Sequence, residues 1–478
     1  MNPQRRALLA GIAALVAACK RNKDPIVPEI WDEAPVPERA DALGKLAPPW
    51  PAPARATLDS GLLTYWLRDP GATTAHVRLM MPDHADGQPL AALAVRSVGG
   101  ALRHAVRRGL GRVPARLRQT RRPGRLELSV SGPAADLPRI AVALARPLAR
   151  TAKNNRGLPA SLLQARARAT RDAKTRTTLE IATAAAVASL FDVSLDSQRV
   201  DSSRAELQTG DQLTAAWTQL LDPRRCVMVI HAPQAPEELP SLLAAFSGWT
   251  GEGRREALES SLARLRWTAR PIKNPQHLMT DDGAPLLLPS EGGSGSGKLV
   301  MACRLGTPTV QARANARLAQ RLLAETQDAR LAISGPVSVF TISTAVSEKS
   351  IESRAQGLVE ALAGGGKTRA PSQRLFTAAQ LWLGARVVQA SLEGEDWTAL
   401  WSEAMDLAST ESDIPRALAS DATAMLSVQP ELLTTWMGEQ LDPRLGKNGW
   451  AWALCGANEK MERSLSRVAD SVTVPPHG

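Results

Sequence analysis

A short motif occurs twice in this chain, 220 residues apart, and this repeat constrains the fold more than any other feature of the 478-residue sequence. Leu221-Asp222-Pro223-Arg224 returns as Leu441-Asp442-Pro443-Arg444. Each copy precedes a short apolar run, which starts at Cys226 in the first case and at Trp450 in the second. Because order and spacing both persist, the sequence predicts a duplicated unit of about 210 residues, an ordinary size for one domain.

The upstream part of each unit repeats in the same way. Gly61–Leu67 precedes a turn and the strand-like run His76–Met80. In the second unit Gly283–Leu288 precedes a glycine-rich turn and the strand-like run Leu299–Cys303. The offset between the two starts, 222 residues from Gly61 to Gly283, nearly equals the offset between the later motifs. Chance recurrence of apolar strands is the alternative, and it does not account for the shared order.

The periodicity of apolar residues predicts strands mixed with helices in each unit. In the first unit, Leu58–Leu67 and His76–Met81 are predicted to form a hairpin, followed by a helix at Leu90–Arg108 and a strand at Leu126–Ser131. The predicted fold class is therefore α+β. We expect two homologous α/β sandwich halves, residues 55–265 and 276–475, joined by a linker at 266–275 and facing each other as a clamshell.

Further elements are predicted along the chain. The helices of the first half are expected at Ala134–Thr151, Leu162–Phe191 and Ala205–Leu220, and its last strand at Cys226–His231. In the second half, strands are expected at Val300–Leu305, Val339–Ala345 and Trp450–Leu454, and helices at Val310–Glu325, Ile351–Ala363, Phe376–Leu392, Trp397–Ala408, Pro415–Ala424 and Pro430–Gln440. Strands with paired helices indicate a sheet with one face covered by helices.

Residues 1–19 have the pattern of an export signal. Arg5 and Arg6 precede an uncharged apolar stretch, Ala7–Ala18, that is too short to span a bilayer as a helix. The ending Leu15-Val16-Ala17-Ala18-Cys19 is similar to a bacterial lipobox, in which the cysteine becomes the lipidated N-terminus. An uncleaved anchor and an ordinary signal peptide are the alternatives. We expect the mature chain to begin at Cys19 and to carry acyl chains such as palmitate.

The segment after the signal is rich in proline. Residues 20–54 are predicted to form an extended tether between Cys19 and the folded part, because polyproline stretches are semi-rigid. A proline-rich recognition ligand is the alternative. Lys20 directly after the cysteine favours the outer membrane facing the periplasm, although the inner membrane remains open. The other three cysteines, Cys226, Cys303 and Cys455, are expected to be small buried apolar residues.

The net charge of +11 is concentrated in one run between residues 96 and 125. The run contains ten arginines and no acid: Arg96, Arg103, Arg107, Arg108, Arg112, Arg116, Arg118, Arg121, Arg122 and Arg125. It has no interleaved aromatic residues, so nucleic acid is not an expected partner. A solvated basic face is one interpretation. Contact with anionic lipid headgroups or an acidic partner through Arg103–Arg122 is the other.

The order of four segments resembles the pitrilysin/insulinase-type metallopeptidase domain. They are Thr57–Leu62, His76–Met81, Glu127–Gly132 and Leu221–Pro223. Duplication of the domain with a connecting linker is also the plan of that family. The resemblance covers about residues 55–475 and implies an α/β sandwich that carries a zinc site on the helix after the second strand.

The zinc motif itself is missing. The family's helix carries HxxEH, in which two histidines one helical turn apart hold zinc and the glutamate acts as general base. Aligned on the preceding strand, the corresponding positions are approximately Ala92, Val95 and Arg96. A further ligand glutamate is expected near Arg171–Lys174, and the nearest one is Glu180. None of the six histidines has metal-binding spacing, so the sequence predicts no metal and no cofactor.

The substrate clamp of the family is missing as well. It is an Arg–Tyr pair in the second half, but the only tyrosine is Tyr65 in the first half, and Asp328–Val339 is too short for the usual hairpin. We therefore expect a membrane-anchored, catalytically inactive homologue that serves as the non-catalytic subunit of a peptidase hetero-oligomer, beside a partner chain with HxxEH. A scaffold or binding lipoprotein without proteolysis is the alternative. A zinc endopeptidase with a non-standard site is the least favoured.

Overall fold

A computed structural model gives the structure of a large part of the chain. It describes residues 53–85, 88–90, 92–122, 125–149, 156–174, 209–250, 286–288, 296–305, 309–324, 327–334, 337–363, 376–380, 394–407, 423–444, 450–455 and 459–472, with isolated residues at 179, 182–183, 186–187, 190 and 383. The signal, Cys19, residues 20–52 of the predicted tether and the linker lie outside these residues. In the described part, none of the helices combines the length and apolarity needed to cross a membrane.

A six-stranded sheet organises the first half. Its strands are β1 (Ala54–Thr57), β2 (Leu63–Arg68), β3 (Thr74–Pro82), β6 (Arg116–Arg122), β7 (Arg125–Pro133) and β8 (Val227–Ala232), and their spatial order is β1-β2-β8-β3-β7-β6. β2 and β8 run parallel, and the other pairs are antiparallel. Two very short strands, β4 (His84–Ala85) and β5 (Gln88–Pro89), form a separate ladder.

Helices cover one face of this sheet. They are α1 (Ala92–Leu110), α2 (Leu137–Leu148), α3 (Leu158–Lys174), α4 (Gly210–Leu220) and the short α5 (Leu239–Leu243). Side chains alternate along a strand, so Ala75, Val77 and Leu79 of β3 all point to this face and join its core. α1 contributes Val98 and Leu102 to the same core. Burial of this apolar surface is the main force that holds sheet and helices together.

The second half has a five-stranded sheet of the same topology. Its strands are β9 (Leu286–Leu288), β10 (Ser296–Leu305), β11 (Asp328–Ser334), β12 (Val337–Ser347) and β13 (Trp450–Cys455), in the order β11-β12-β10-β13-β9. Its helices include α6 (Val310–Leu323), α7 (Ile351–Leu362), α8 (Gly394–Leu407), α9 (Pro430–Gln440) and α10 (Glu459–Val472). The parallel pair β13 and β9 corresponds to β8 and β2. The predicted fold class is confirmed.

The repeated motif has the same local structure in both halves. Asp222 accepts a hydrogen bond from the backbone N–H of Arg224 at 3.0 Å, and Asp442 accepts one from Arg444 at 2.9 Å. Each aspartate also pairs with the guanidinium of the same arginine. Each motif ends a helix, α4 or α9, and leads to the parallel strand. The aspartate therefore fixes the same turn from helix to strand in both units.

One predicted pairing is wrong. Leu58–Leu67 and His76–Met81 do not form a hairpin, because β8 lies between β2 and β3 and pairs with both. The turn between them does form, since the N–H of Gly71 bonds Asp69 Oδ1 at 3.0 Å. The inserted strand comes from far along the chain, so the local pattern contains no sign of it. β2 instead pairs with β1 across the turn at Leu58–Leu62.

The arginine run is divided between two elements, and most of its described side chains are exposed. Its first part lies on α1, and its second part forms the edge strand β6, which was not predicted. Arg125 at the start of β7 is fully buried. β11 and α10 were likewise not predicted. Cys226, Cys303 and Cys455 are buried free thiols, as expected, and burial raises the pKa of the Cys226 and Cys303 thiols.

The other face of the first sheet is covered by a helix of the second half. α8 packs Trp397 and Trp401 against Tyr65 of β2 and Val229 of β8. The rings of Tyr65 and Trp401 lie 6.0 Å apart between centroids, and the two tryptophans stack at 6.4 Å. The first sheet is therefore enclosed by its own helices on one side and by α8 on the other.

Candidate functional site

The positions that correspond to the zinc motif of the family lie on the first two turns of α1. Ala92 is the first residue of the helix. Val95 has no exposed surface and belongs to the apolar core between α1 and the sheet. Arg96 is half-buried and lines a cavity between α1 and α3. A buried aliphatic side chain followed by a guanidinium offers no lone pair to a metal ion.

The cavity lies between α1 and α3 and has a volume of about 1040 Å³. Small residues on both helices leave room for it, among them Gly100 and Ala105 of α1 and Ala165 of α3. Its polar lining is basic: Arg96, Arg103, His104, Arg107, Arg108 and Arg168. Among the described residues that line it there is no aspartate or glutamate. We call this space the α1–α3 cavity.

The positive charge of the cavity affects the pKa of His104. Desolvation lowers the pKa of this exposed imidazole, and the positive charges of Arg108 and Arg168 lower it further. The two guanidinium groups disfavour a further positive charge on the imidazole, so its neutral form is favoured at neutral pH. The lowered pKa of His104 therefore reflects the positive charge of its surroundings.

The remaining arginines of the run are distributed over other surfaces. Arg112 lines a smaller cavity of about 500 Å³ beyond the end of α1. Arg116, Arg118 and Arg121 are exposed on β6, and Arg121 pairs with Asp83 at 3.1 Å. Arg122 ends β6. Of the residues predicted to contact an anionic surface, the fold thus brings Arg103, Arg107 and Arg108 into one cavity and separates the others from it.

A buried charge network lies on the sheet face that α8 covers. Glu127 accepts hydrogen bonds from Arg78 at 2.7 Å and from Arg125 at 2.6 Å. Ser402 of α8 donates to Glu127 at 3.0 Å and accepts from Arg125 at 2.8 Å. Thr398 accepts from Arg78 at 3.4 Å. The network links the two halves, and its carboxylate is saturated, which suits a structural role better than proton transfer.

The sequence contained one sign of this network. Glu127 stands between Leu126 and Leu128 in an alternating strand, so its side chain had to point away from the core that those leucines form. An acid on that face requires a cationic partner if the face is buried. The sequence near Glu127 contains no sign that α8 buries this face of the sheet.

Two histidines without metal spacing in sequence come together at the end of this face. His76 and His231 are direct cross-strand neighbours, with ring centroids 5.8 Å apart. His76 Nδ1 lies 2.9 Å from Ser131 Oγ, and His231 Nε2 lies 3.7 Å from Asp69. Burial lowers the pKa of His231, and the charge of Asp69 partly offsets this. His84 lies in β4, opposite Pro89 of β5.

Comparison with known proteins identifies the architecture. No protein-family model and no curated protein matches the sequence. Among solved structures, a protease from Helicobacter pylori aligns over 84% of this chain and 99% of its own, with a TM-score of 0.60 at 10% identity. A peptidase M16 inactive domain from Pseudomonas fluorescens aligns over 84% and 98%, with a TM-score of 0.59 at 12% identity.

This fold is that of the M16 peptidases. The periplasmic protease PqqL from Escherichia coli has it too, with a TM-score of 0.57 at 12% identity, and this chain spans 45% of the length of that protein. The resemblance to the pitrilysin/insulinase type is therefore confirmed for the fold, over a share of the chain close to the one inferred from the sequence.

The zinc ion that the M16 fold implies does not fit the residues of this chain. Val95 is committed to the core, and Arg96 places a positive charge where a divalent cation would have to approach. Among the described residues, no three His, Cys, Asp or Glu side chains are grouped so that they could hold a metal. Arg171 lies exposed on α3, and Glu180 lies outside the described residues.

Proposed function

We propose that this protein is a membrane-anchored, catalytically inactive M16-type homologue that serves as the non-catalytic subunit of a peptidase hetero-oligomer. The most direct support comes from the composition of α1. This helix takes the place of the zinc helix in an M16 domain, but Val95 lies in the core and Arg96 lines a basic cavity. Neither side chain can hold zinc or act as a general base. Catalysis would therefore come from a partner chain that carries HxxEH.

A second candidate function is a scaffold or binding lipoprotein of the cell envelope with no proteolytic role. It is favoured by the position of Tyr65, whose ring is buried against Trp401 and has no exposed surface. The only tyrosine is therefore not on a surface where it would hold a substrate. A neighbouring reading frame that encodes HxxEH, and co-purification of its product with this chain, would favour the subunit over the scaffold.

We expect the purified protein to bind no stoichiometric zinc and to cleave no peptide by itself. The reason is the chemistry of Ala92, Val95 and Arg96, which supplies neither ligands nor a base. Metal analysis after dialysis against a weak chelator measures the first, and a fluorogenic peptide assay measures the second. Zinc near one per chain together with chelator-sensitive cleavage would show that a non-standard active site exists.

Attachment to the membrane is proposed to occur through Cys19, on the basis of the sequence pattern at residues 15–19. Several acyl chains on one residue hold a protein on a bilayer far more firmly than one chain does. Cys19→Ala should abolish labelling by a radioactive fatty acid and partitioning into detergent. The parent chain processed in the same cells is the control. Membrane fractionation of the variant equal to that of the parent would mean that the basic residues or a partner provide the attachment.

A further inference from the structure

We propose that the α1–α3 cavity is a binding site for a phosphorylated ligand with more than one phosphate group. This inference is independent of the proposed subunit role, because it concerns the side of α1 that faces α3 and needs no partner chain. It rests on the composition of the cavity lining, on the absence of counter-charges in the described structure, and on the volume.

The lining concentrates five guanidinium groups around one space. Arg96, Arg103 and Arg107 follow each other on one face of α1, and Arg168 approaches from α3. Arg103 and Arg107 are four residues apart, a spacing at which like charges on a helix repel each other. Arg107 and Arg108 in the last turn interact favourably with the helix dipole, but Arg96 and Arg103 gain nothing from it.

These charges have no counter-charge among the side chains that the structure describes. None of the five arginines forms an ion pair with such a side chain, whereas Arg121, Arg139 and Arg224 all do. Grouped guanidinium groups without acids are costly in the free protein and become favourable when an anion binds, because each can then donate charge-assisted hydrogen bonds.

The chemistry of the lining favours phosphate. Guanidinium groups donate two parallel hydrogen bonds to phosphate oxygens, and a phosphate dianion can be contacted by several arginines at once. His104 can donate one further bond, and Gln119, Ser161 and Gln164 add neutral polar groups. The same basic lining that opposes a metal cation thus suits an anion.

The volume argues for more than a single inorganic ion. About 1040 Å³ is at the upper end of pockets that hold a whole small molecule. Apolar groups of Leu158, Ala101 and Trp217 complete the wall and can pack against a carbon framework. The ligand is therefore expected to carry several phosphates on an organic body, either a free organic phosphate or the headgroup of an anionic lipid.

The test measures binding of four probes to the purified full chain by calorimetry and by vesicle flotation. The probes are inositol hexakisphosphate, inorganic phosphate, polyglutamate, and phosphatidylcholine vesicles with or without phosphatidylglycerol. We expect one molecule of the hexakisphosphate per chain, and weakening of that affinity with increasing salt. Hydrogen exchange should slow on α1 and α3 and stay unchanged on α7.

Variants connect the binding to the cavity. Arg103→Gln with Arg168→Gln should weaken binding by about 100-fold, roughly tenfold for each charge-assisted contact. The matched control, Lys349→Gln with Arg354→Gln, removes the same charge from exposed positions at and beside α7 and should leave the affinity within about twofold. Ala105→Trp fills the cavity without changing its charge and should also block binding, with circular dichroism to confirm that it is folded.

Each outcome bears on the proposal. Binding of the hexakisphosphate that is lost in the cavity variants supports a soluble source. Binding to anionic vesicles alone, lost in the same variants and insensitive to the control, supports a lipid headgroup. Equal loss in the control would mean a general charge effect and would overturn the proposal. Binding of polyglutamate without binding of any phosphate probe would also overturn it, in favour of an acidic protein partner.

Discussion

Glu127→Gln should lower the free energy of unfolding by about 3–5 kcal/mol, the range found when one member of a buried ion pair is removed. The side chain of Glu127 is 1% exposed, and those of Arg78 and Arg125 are 8% and 0% exposed. Glutamine keeps the shape of the side chain but removes the negative charge with which both buried guanidinium groups are paired. Water cannot compensate for the loss, since the network lies beneath α8.

Chemical denaturation followed by circular dichroism measures this effect. Asp136→Asn is the control, because it breaks a pair whose arginine, Arg139, is 77% exposed, and it should cost less than about 0.5 kcal/mol. Replacing Glu127, Arg78 and Arg125 together by apolar residues of similar volume should recover much of the stability. A loss for Glu127→Gln no larger than that of the control would mean that the network is not buried in solution.

Trp401→Ala should also lower the free energy of unfolding by about 3–5 kcal/mol, the range for removing a buried aromatic side chain. Trp401 is 1% exposed, and its ring contacts Tyr65 of the first half and stacks on Trp397. The variant removes apolar contact between the halves and leaves a cavity there. We therefore expect the two halves to unfold in separate transitions, where the parent shows one.

Calorimetry and limited proteolysis follow the two transitions. The matched control is Leu432→Ala on α9, since Leu432 is 61% exposed and its truncation should change stability by less than about 0.5 kcal/mol. Protease sites in β2 and β8 should open in Trp401→Ala and stay closed in the control. Unchanged stability of Trp401→Ala would show that α8 does not stabilise the first sheet.

The duplication and the fold could be predicted because the relevant signals are local and occur twice. Asp222 and Asp442 each fix the turn after a helix through contacts within two residues, so the same four-residue motif produces the same structure. The apolar face of β3 and the helix at Leu90–Arg108 follow from periodicity alone. Their positions agree with the structure to within two residues at each end.

The failures have a common physical cause, which is contact between distant parts of the chain. The hairpin of β2 and β3 was predicted from a genuine turn, but β8 enters between the strands from far downstream. Arg125 resembled one more surface arginine in the sequence. Its counter-charge, Glu127, and its hydrogen-bond acceptor, Ser402, are recognisable as partners only once the sheet and α8 are in place. The α1–α3 cavity was not foreseen either, since it joins arginines that are 72 residues apart, Arg96 and Arg168.

The cover that α8 provides has a consequence for the order of events during synthesis. β8, the last strand of the first sheet, ends at Ala232, whereas α8 begins at Gly394. The chain is synthesised at about 5–20 residues per second, so roughly 8–30 seconds pass between the synthesis of Ala232 and that of Gly394. For that time the nascent sheet presents Tyr65 and Val229 to water, so a chain terminated near Ala232 should aggregate or recruit a chaperone. The first half therefore cannot bury this face of its sheet until α8 of the second half has been synthesised.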